Sequence, residues 1–282
     1  MAKIPFYQRS PAAYRISVAR CRFVRRWQNL RDVSKLADEK SAEFLPFVIY
    51  QNQSLIRRTL GDVDPALQNN KAVNLGLAAP HVDGIIIPPG KIFSFWTLVG
   101  NCTARRGYLP GLTISGGRVS SGVGGGMCQM TNMIHWLILH TPLRIVEHHH
   151  HDGMDLFPDN GRTIPFGTGT SIMYNYLDYR FLNDTPHTYQ LRLWVTNTHL
   201  NGEIRAAAPL PVRYHIRAED EYFSREGDAV YRNGRVYRSC VDKRTGYCLN
   251  RELIKVNHAL VMYDTSGLDI GCQADTAAEE SM

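Results

Sequence analysis

Between Met127 and Thr141 the apolar residues Met130, Met133, Ile134, Leu137 and Ile138 fall at i, i+3, i+4, i+7 and i+8. That period predicts one amphipathic helix with a core-facing stripe. A second helix is predicted from Ala12 to Leu30, where Ile16, Ala19, Phe23, Trp27 and Leu30 share a face and Arg15, Arg22, Arg25 and Arg26 occupy others. A third covers Asn70 to Val82 and ends near Gly84. Beyond Gly84 the pattern turns to short β-branched and aromatic runs. Ile85–Ile87 and Ile92–Trp96 read as strands around the Pro88-Pro89-Gly90 turn, and Leu112–Ile114 with Arg118–Val119 read as a hairpin about Gly116-Gly117. Strand-like composition returns in Arg144–His151, Ser171–Phe181, Thr188–Thr196, Arg213–Ala218, Ala229–Tyr231, Val236–Val241 and Tyr247–Lys255. Asp242–Gly246 is a turn, and symmetric pairing about it sets Cys240 opposite Cys248.

Few helices, many strands and no βαβ alternation predict an α+β protein. Its expected form is a mixed or antiparallel sheet with the 127–141 helix packed on it and a basic helical region at the N-terminus. The prolines of Ala208-Pro209-Leu210-Pro211 mark a boundary. The expected organisation is a basic helical region (1–68), a core domain (69–208), a β-rich extension (209–264) and an acidic, disordered tail (265–282).

Charge sharpens this picture at the two ends. Residues 1–40 hold ten Lys/Arg against Asp32, Asp38 and Glu39, whereas from Asp264 onward there are five acidic residues and no Lys or Arg. The basic helix could lie on an anionic membrane surface or simply pack its stripe on the domain. A net charge of +6 without a recognised binding motif gives no expectation of nucleic acid. No apolar run approaches the ~18–20 residues of a membrane span, and the N-terminus shows no signal-peptide pattern. The expectation is a cytoplasmic protein, membrane-peripheral at most. Its six cysteines, at 21, 102, 128, 240, 248 and 272, form no CxxC pair and are expected as free thiols.

The candidate chemistry lies at Gly124-Gly125-Gly126-Met127-Cys128-Gln129. Cys128 falls in the first turn of the predicted helix, where free N–H groups and the helix dipole favour a thiolate. Amides of Gly124, Gly125 and Gly126 are candidate oxyanion donors, with Gln129 and Asn132 beside the substrate or bracing the loop. A free cysteine after a glycine run can equally be a small buried hydrophobe. The base would come from Glu147-His148-His149-His150-His151-Asp152. On a strand, His149 and His151 share a face with Glu147, while His148 and His150 take the other. Asp152, Asp155 and Asp178 are available to orient a ring; His135 lies too far along the helix. Alternate histidines can also ligate zinc or nickel, but no further ligands lie at short spacing, so neither metal nor cofactor is expected.

Several blocks resemble the VanW family. They are Asn69-Asn70-Lys71-Ala72-Val73-Asn74-Leu75, Pro89-Gly90-Lys91-Ile92-Phe93-Ser94-Phe95-Trp96, the 124–130 run, His140-Thr141-Pro142-Leu143, Ile145-Val146-Glu147, Tyr176-Leu177-Asp178 and Asn183-Asp184-Thr185. The resemblance implies a link to glycopeptide (vancomycin) resistance and cell-wall metabolism. It also implies L,D-transpeptidase-like or peptidase chemistry on peptidoglycan peptides, with a precursor or muropeptide as partner and Cys128 as nucleophile. By resemblance the base is His151, with His149 competing. Short members of the family also allow a non-catalytic accessory role, binding a precursor or a pathway partner. Two positions depart from the family pattern. His148 replaces an arginine, and Gly169-Thr170-Ser171 replaces a stretch that begins with aspartate, leaving Asp178 or another residue to orient the base.

Overall fold

A computed structural model describes residues 5–57, 64–115, 118–150, 153–159 and 164–271. In chain order the elements are α1 (Pro11–Arg31), β1 (Phe47–Leu55), α2 (Pro65–Val82), β2 (Ile85–Ile87), β3 (Ile92–Ser94), α3 (Phe95–Val99), β4 (Pro110–Ser115), β5 (Arg118–Val123) and α4 (Met127–Leu139). They continue with β6 (Arg144–Glu147), β7 (Met154–Asp155), β8 (Arg180–Leu182), β9 (Tyr189–Val195), β10 (His199–Ala206), β11 (Val212–Glu226), β12 (Ala229–Asp242), β13 (Cys248–Val261) and β14 (Ile270–Gly271). The fold is α+β. An antiparallel sheet runs β1-β10-β9-β2, a smaller one β3-β8-β6, and β4-β5 is a separate hairpin. The last third forms a mixed sheet, β14-β11-β12-β13-β7, whose two edge strands pair in parallel.

Packing, not capping, fixes α4. Its N-cap is Gly126, which offers no side-chain cap, a deficit of about a few tenths of a kcal/mol against the best capping residues. Against that, Met130, Met133, Ile134, Leu137 and Ile138 are all fully buried, as the spacing predicts, each worth about 1.5–3 kcal/mol. They close on the β1–β10 sheet at Gly202, where a Cβ would lie 2.9 Å from Leu137 and 3.0 Å from Met133. Arg238 of β12 donates to the carbonyls of Leu139 and Thr141, fastening the mixed sheet to the far end of α4.

Several sequence expectations need correction. Helix α2 begins five residues early because Asp64 caps it, accepting from the Ala66 N–H at 2.8 Å ahead of Pro65. Phe95 and Trp96 open a short helix instead of extending a strand, since the buried Asp178 carboxylate accepts the Trp96 N–H at 3.0 Å. Regular strand stops at Glu147, so His148–His150 follow in irregular backbone, and most of 171–179 is likewise not strand. A bulge between Cys240 and Val241 sets Cys248 opposite Val241 and Cys240 opposite Asn250. The five described cysteines are free thiols. No helix among the described residues is long and apolar enough to cross a membrane.

Candidate active site around Cys128

The glycine run is a set of close approaches. Gly124 and Gly126 have φ of +79° and +104°, which favours glycine. At Gly125 the constraint is space alone, because a Cβ there would lie 2.2 Å from the carbonyl carbon of Gly111. Asn74, buried on α2, clamps the same loop. Its Nδ2 donates to the carbonyls of Gly125 and Leu109, both at 2.9 Å, and its Oδ1 accepts from the Leu109 N–H at 2.8 Å.

This rigidity changes the oxyanion expectation. The Gly124 N–H donates to Leu109 O and the Gly125 N–H to Gly122 O, each at 3.0 Å, so neither amide points at a substrate. Gln129 is also committed elsewhere, its Nε2 donating to Ser54 Oγ and Leu55 O, both at 2.9 Å, on β1.

Cys128 is half-buried in the first turn of α4. Burial pushes its thiol pKa up, opposite to the shift expected from the helix dipole; hydrogen bonds from the N–H groups of Ile172 and of Cys128 itself work against that rise. The 169–172 segment that brings the Ile172 amide is held by Asn132, one turn along α4. Asn132 Oδ1 accepts from Thr170 N (2.7 Å) and Thr170 Oγ1 (2.8 Å), and Thr170 also meets Thr131. Asn132 therefore braces the loop, one of the two roles its position suggests.

The histidines divide between two sides. His149 Nε2 donates to Glu147 Oε1 at 3.0 Å, although the strand whose alternation grouped the two ends at Glu147. Glu147 in turn meets Arg25 at 2.6 Å, the Asp178 N–H at 2.9 Å and Arg180 at 3.5 Å. Burial alone would raise the Glu147 pKa, but the Asp178 N–H, His149 and Arg25 outweigh it and the net shift is downward. His149 thus belongs to a charge network with α1. On the other side, His148 stacks on His135 at 4.3 Å and donates from Nε2 to Gly169 O at 2.8 Å. His150 Nε2 and Asn132 Oδ1 both border Gly169, at 3.5 and 3.8 Å from where its Cβ would be. The run therefore passes antiparallel to α4, from His135 towards the Cys128 end.

His135 is buried with Nδ1 3.1 Å from the Tyr179 hydroxyl. Burial, then the neighbouring His148 and His150, drive its pKa well below the ordinary imidazole value. Among the described residues Asp178 bonds to no imidazole. Its carboxylate accepts from Ser94 Oγ, the Trp96 and Tyr179 amides and Arg180 Nε. His151 and Asp152 lie outside the described residues. Among the described residues no group of three or more His, Cys, Asp or Glu is arranged to hold a metal ion.

Four participants escaped sequence reasoning: Asn74, Gly111, Thr170 and Ile172. Only Asn74 left a signal, as a polar residue next to Leu75 on the buried side of a helix.

Comparison with known proteins follows the same blocks. A family model described as VanW like protein matches residues 70–205. The chain is 31% identical over 219 residues to the vancomycin B-type resistance protein VanW of Enterococcus faecalis (strain ATCC 700802 / V583), covering 78% of this chain and 79% of that one. It is 29% identical over 117 residues to the uncharacterized protein YoaR of Bacillus subtilis (strain 168), covering 40% of this chain and 36% of YoaR. No solved structure matches.

Proposed function

Because the chain belongs to the VanW family, we propose that it serves vancomycin-type glycopeptide resistance through cysteine-dependent acyl transfer on peptidoglycan-type peptides. The observation that carries this reading is the place of Cys128, in the first turn of α4 behind a close-packed glycine loop and beside the 169–172 segment that Asn132 holds. Backbone amides at that helix end favour the thiolate. In the proposed step the thiolate adds to the carbonyl carbon of a D-residue and the amide C–N bond breaks. An imidazole of the 148–151 run, having taken the thiol proton, passes it to the departing amine. An acceptor amine or water then gives its proton to the same imidazole as it attacks the thioester carbon, and the sulfur leaves as thiolate. His150 is our choice among the described rings, because its Nε2 lies 3.5 Å from the Cβ position of Gly169, the glycine that Asn132 of α4 also approaches.

Purified protein incubated with muropeptides and precursor pentapeptide, read by mass spectrometry, tests the reading. Turnover or a trapped thioester adduct in wild type, absent in Cys128→Ala, is the expected result. Equal behaviour of the two proteins refutes it.

A second reading, a non-catalytic protein that binds a peptidoglycan precursor, draws support from the same site. The Gly124 and Gly125 amides are used internally, and burial raises the Cys128 pKa. It predicts precursor binding that survives Cys128→Ser, with no adduct at any pH.

A further inference from the structure

Helix α1 presents its two sides in opposite ways. One side is fastened to the body of the protein by residues a turn apart. Arg22 Nε donates to Tyr174 O at 3.2 Å, Arg25 pairs with Glu147 and donates to Tyr176 O at 3.1 Å, and Asn29 Oδ1 accepts from Arg180. The apolar stripe faces elsewhere. Ile16 is 59% exposed, Phe23 67%, Trp27 66% and Leu30 65%, and Ala13 is the buried residue of the helix. At 100° per residue these four side chains share an arc of roughly 60°, about a third of a turn from the fastened side. The expectation that the stripe packs on the domain is therefore not met.

Arginine flanks the stripe on both edges, Arg15 and Arg26 on one, Arg20 and Arg31 on the other. Arg15, Arg20 and Arg26 are exposed and make no ion pair among the described residues. From Pro11 to Arg31 there is no Asp or Glu. Exposed apolar side chains bordered by cations with long aliphatic stems suit the boundary of a bilayer, the rings entering the acyl region and the guanidinium groups meeting phosphates. A second copy of the helix would bring together six flanking arginines that have no ion-pair partner among the described residues, Arg15, Arg20 and Arg26 from each, so self-association through this stripe is disfavoured.

We infer that α1 is a membrane-surface helix, docking the protein on anionic lipid through Ile16, Phe23, Trp27 and Leu30 with Arg15, Arg20 and Arg26 as the electrostatic component. The α1–Glu147 contact holds the Cys128 domain against that surface. This assignment is independent of the proposed acyl transfer and has its own readout.

Flotation of the full chain with vesicles of phosphatidylcholine alone, or mixed with phosphatidylglycerol, provides the test. The protein floats with the anionic vesicles, less so at high salt. Arg15→Gln/Arg20→Gln/Arg26→Gln lowers partitioning by about 100-fold, since each arginine near such a surface is worth about a factor of five. Phe23→Ser/Trp27→Ser/Leu30→Ser abolishes flotation while leaving the unfolding transition in place. Equal flotation with neutral and anionic vesicles, or none with either, overturns the assignment. So does a dimer, seen by light scattering, that the serine substitutions dissolve. Flotation that appears only once residues 272–282 are removed also overturns it and makes the acidic C-terminal stretch the occupant.

Discussion

Replacing Gly125 by alanine tests whether the loop before Cys128 is a rigid packed element or an open oxyanion cradle. The backbone at Gly125 needs no left-handed conformation, so the added methyl group is the whole perturbation. It would lie 2.2, 2.3 and 2.7 Å from the C, O and Cα atoms of Gly111. Carbon atoms pack at about 3.5–4.0 Å, so β4 and the loop must separate by more than ~1 Å. All three atoms are backbone of the β4–β5 hairpin and cannot rotate away. Overpacking of this kind costs about 1–3 kcal/mol. The movement also strains the Asn74 bonds to Gly125 O and Leu109 O, each worth about 0.5–1.5 kcal/mol net. The expected destabilisation is about 2–6 kcal/mol, with a displaced start to α4 and an altered alkylation rate at Cys128. Gly76→Ala is the control. Gly76 is exposed within α2 with nothing within 4 Å of its Cβ position, so alanine should stabilise by roughly 0.5–1 kcal/mol. Urea unfolding and iodoacetamide kinetics read both variants. A Gly125→Ala protein within ~0.5 kcal/mol of wild type, with unchanged alkylation, would refute the close-packing argument.

Acid should weaken the fold in two windows. His140, stacked on Tyr50 at 3.5 Å, has a pKa lowered to about 4, first by burial and then by Arg238 and His215, against a raising hydrogen bond to Trp136 O. The unfolded chain binds that proton near pH 6.5, so stability is lost as pH falls from about 6.5 towards 4, by up to roughly 3 kcal/mol. Thermal melts across this range should show a shallower slope in His140→Gln; parallel slopes would contradict it. The depressed Glu147 carboxyl contributes stability that is present above the unfolded value of about 4.3 and is lost as pH falls through its folded pKa. Arg25→Ala, which removes a charged hydrogen-bond partner from Glu147, should cost about 1.5–3 kcal/mol. It should also raise amide exchange in α1 more than in α4, and an unchanged exchange pattern would count against the clamp.

Periodicity made α4 legible because its stripe answers to a single buried face, and the β4–β5 hairpin because its strands are adjacent in sequence. β1 shows no comparable pattern: Gln51, Asn52 and Gln53 occupy it, and long-range pairing with β10 makes it sheet. β10 does alternate, with Leu200, Gly202, Ile204 and Ala206 buried between polar residues, a period-2 signal that sequence reasoning passed over. Around Cys128 the sequence placed the sulfur in the first helical turn; His149 does meet Glu147, but across irregular backbone and not on the strand that the alternation assumed. What it could not show was competition. Whether an amide of the glycine run faces a ligand depends on Leu109 and Gly122, and whether the helix dipole outweighs burial depends on the 169–172 segment crossing the thiol. Asp178, one of three carboxylates available to orient a ring, accepts the Trp96 N–H at the start of α3, far from it in sequence, and pairs with Arg180 on β8.

Glu147 also limits how this lineage can drift. One carboxylate answers to Arg25, Arg180, His149 and the Asp178 amide, so a neutral residue at 147 leaves Arg25 without its ion-pair partner, while Arg180 keeps Asp178 at 2.8 Å. Descendants that lose the acid are expected to change position 25 as well. Covariation of those two sites across related chains would therefore record the attachment of the N-terminal helix more faithfully than the identity of either residue.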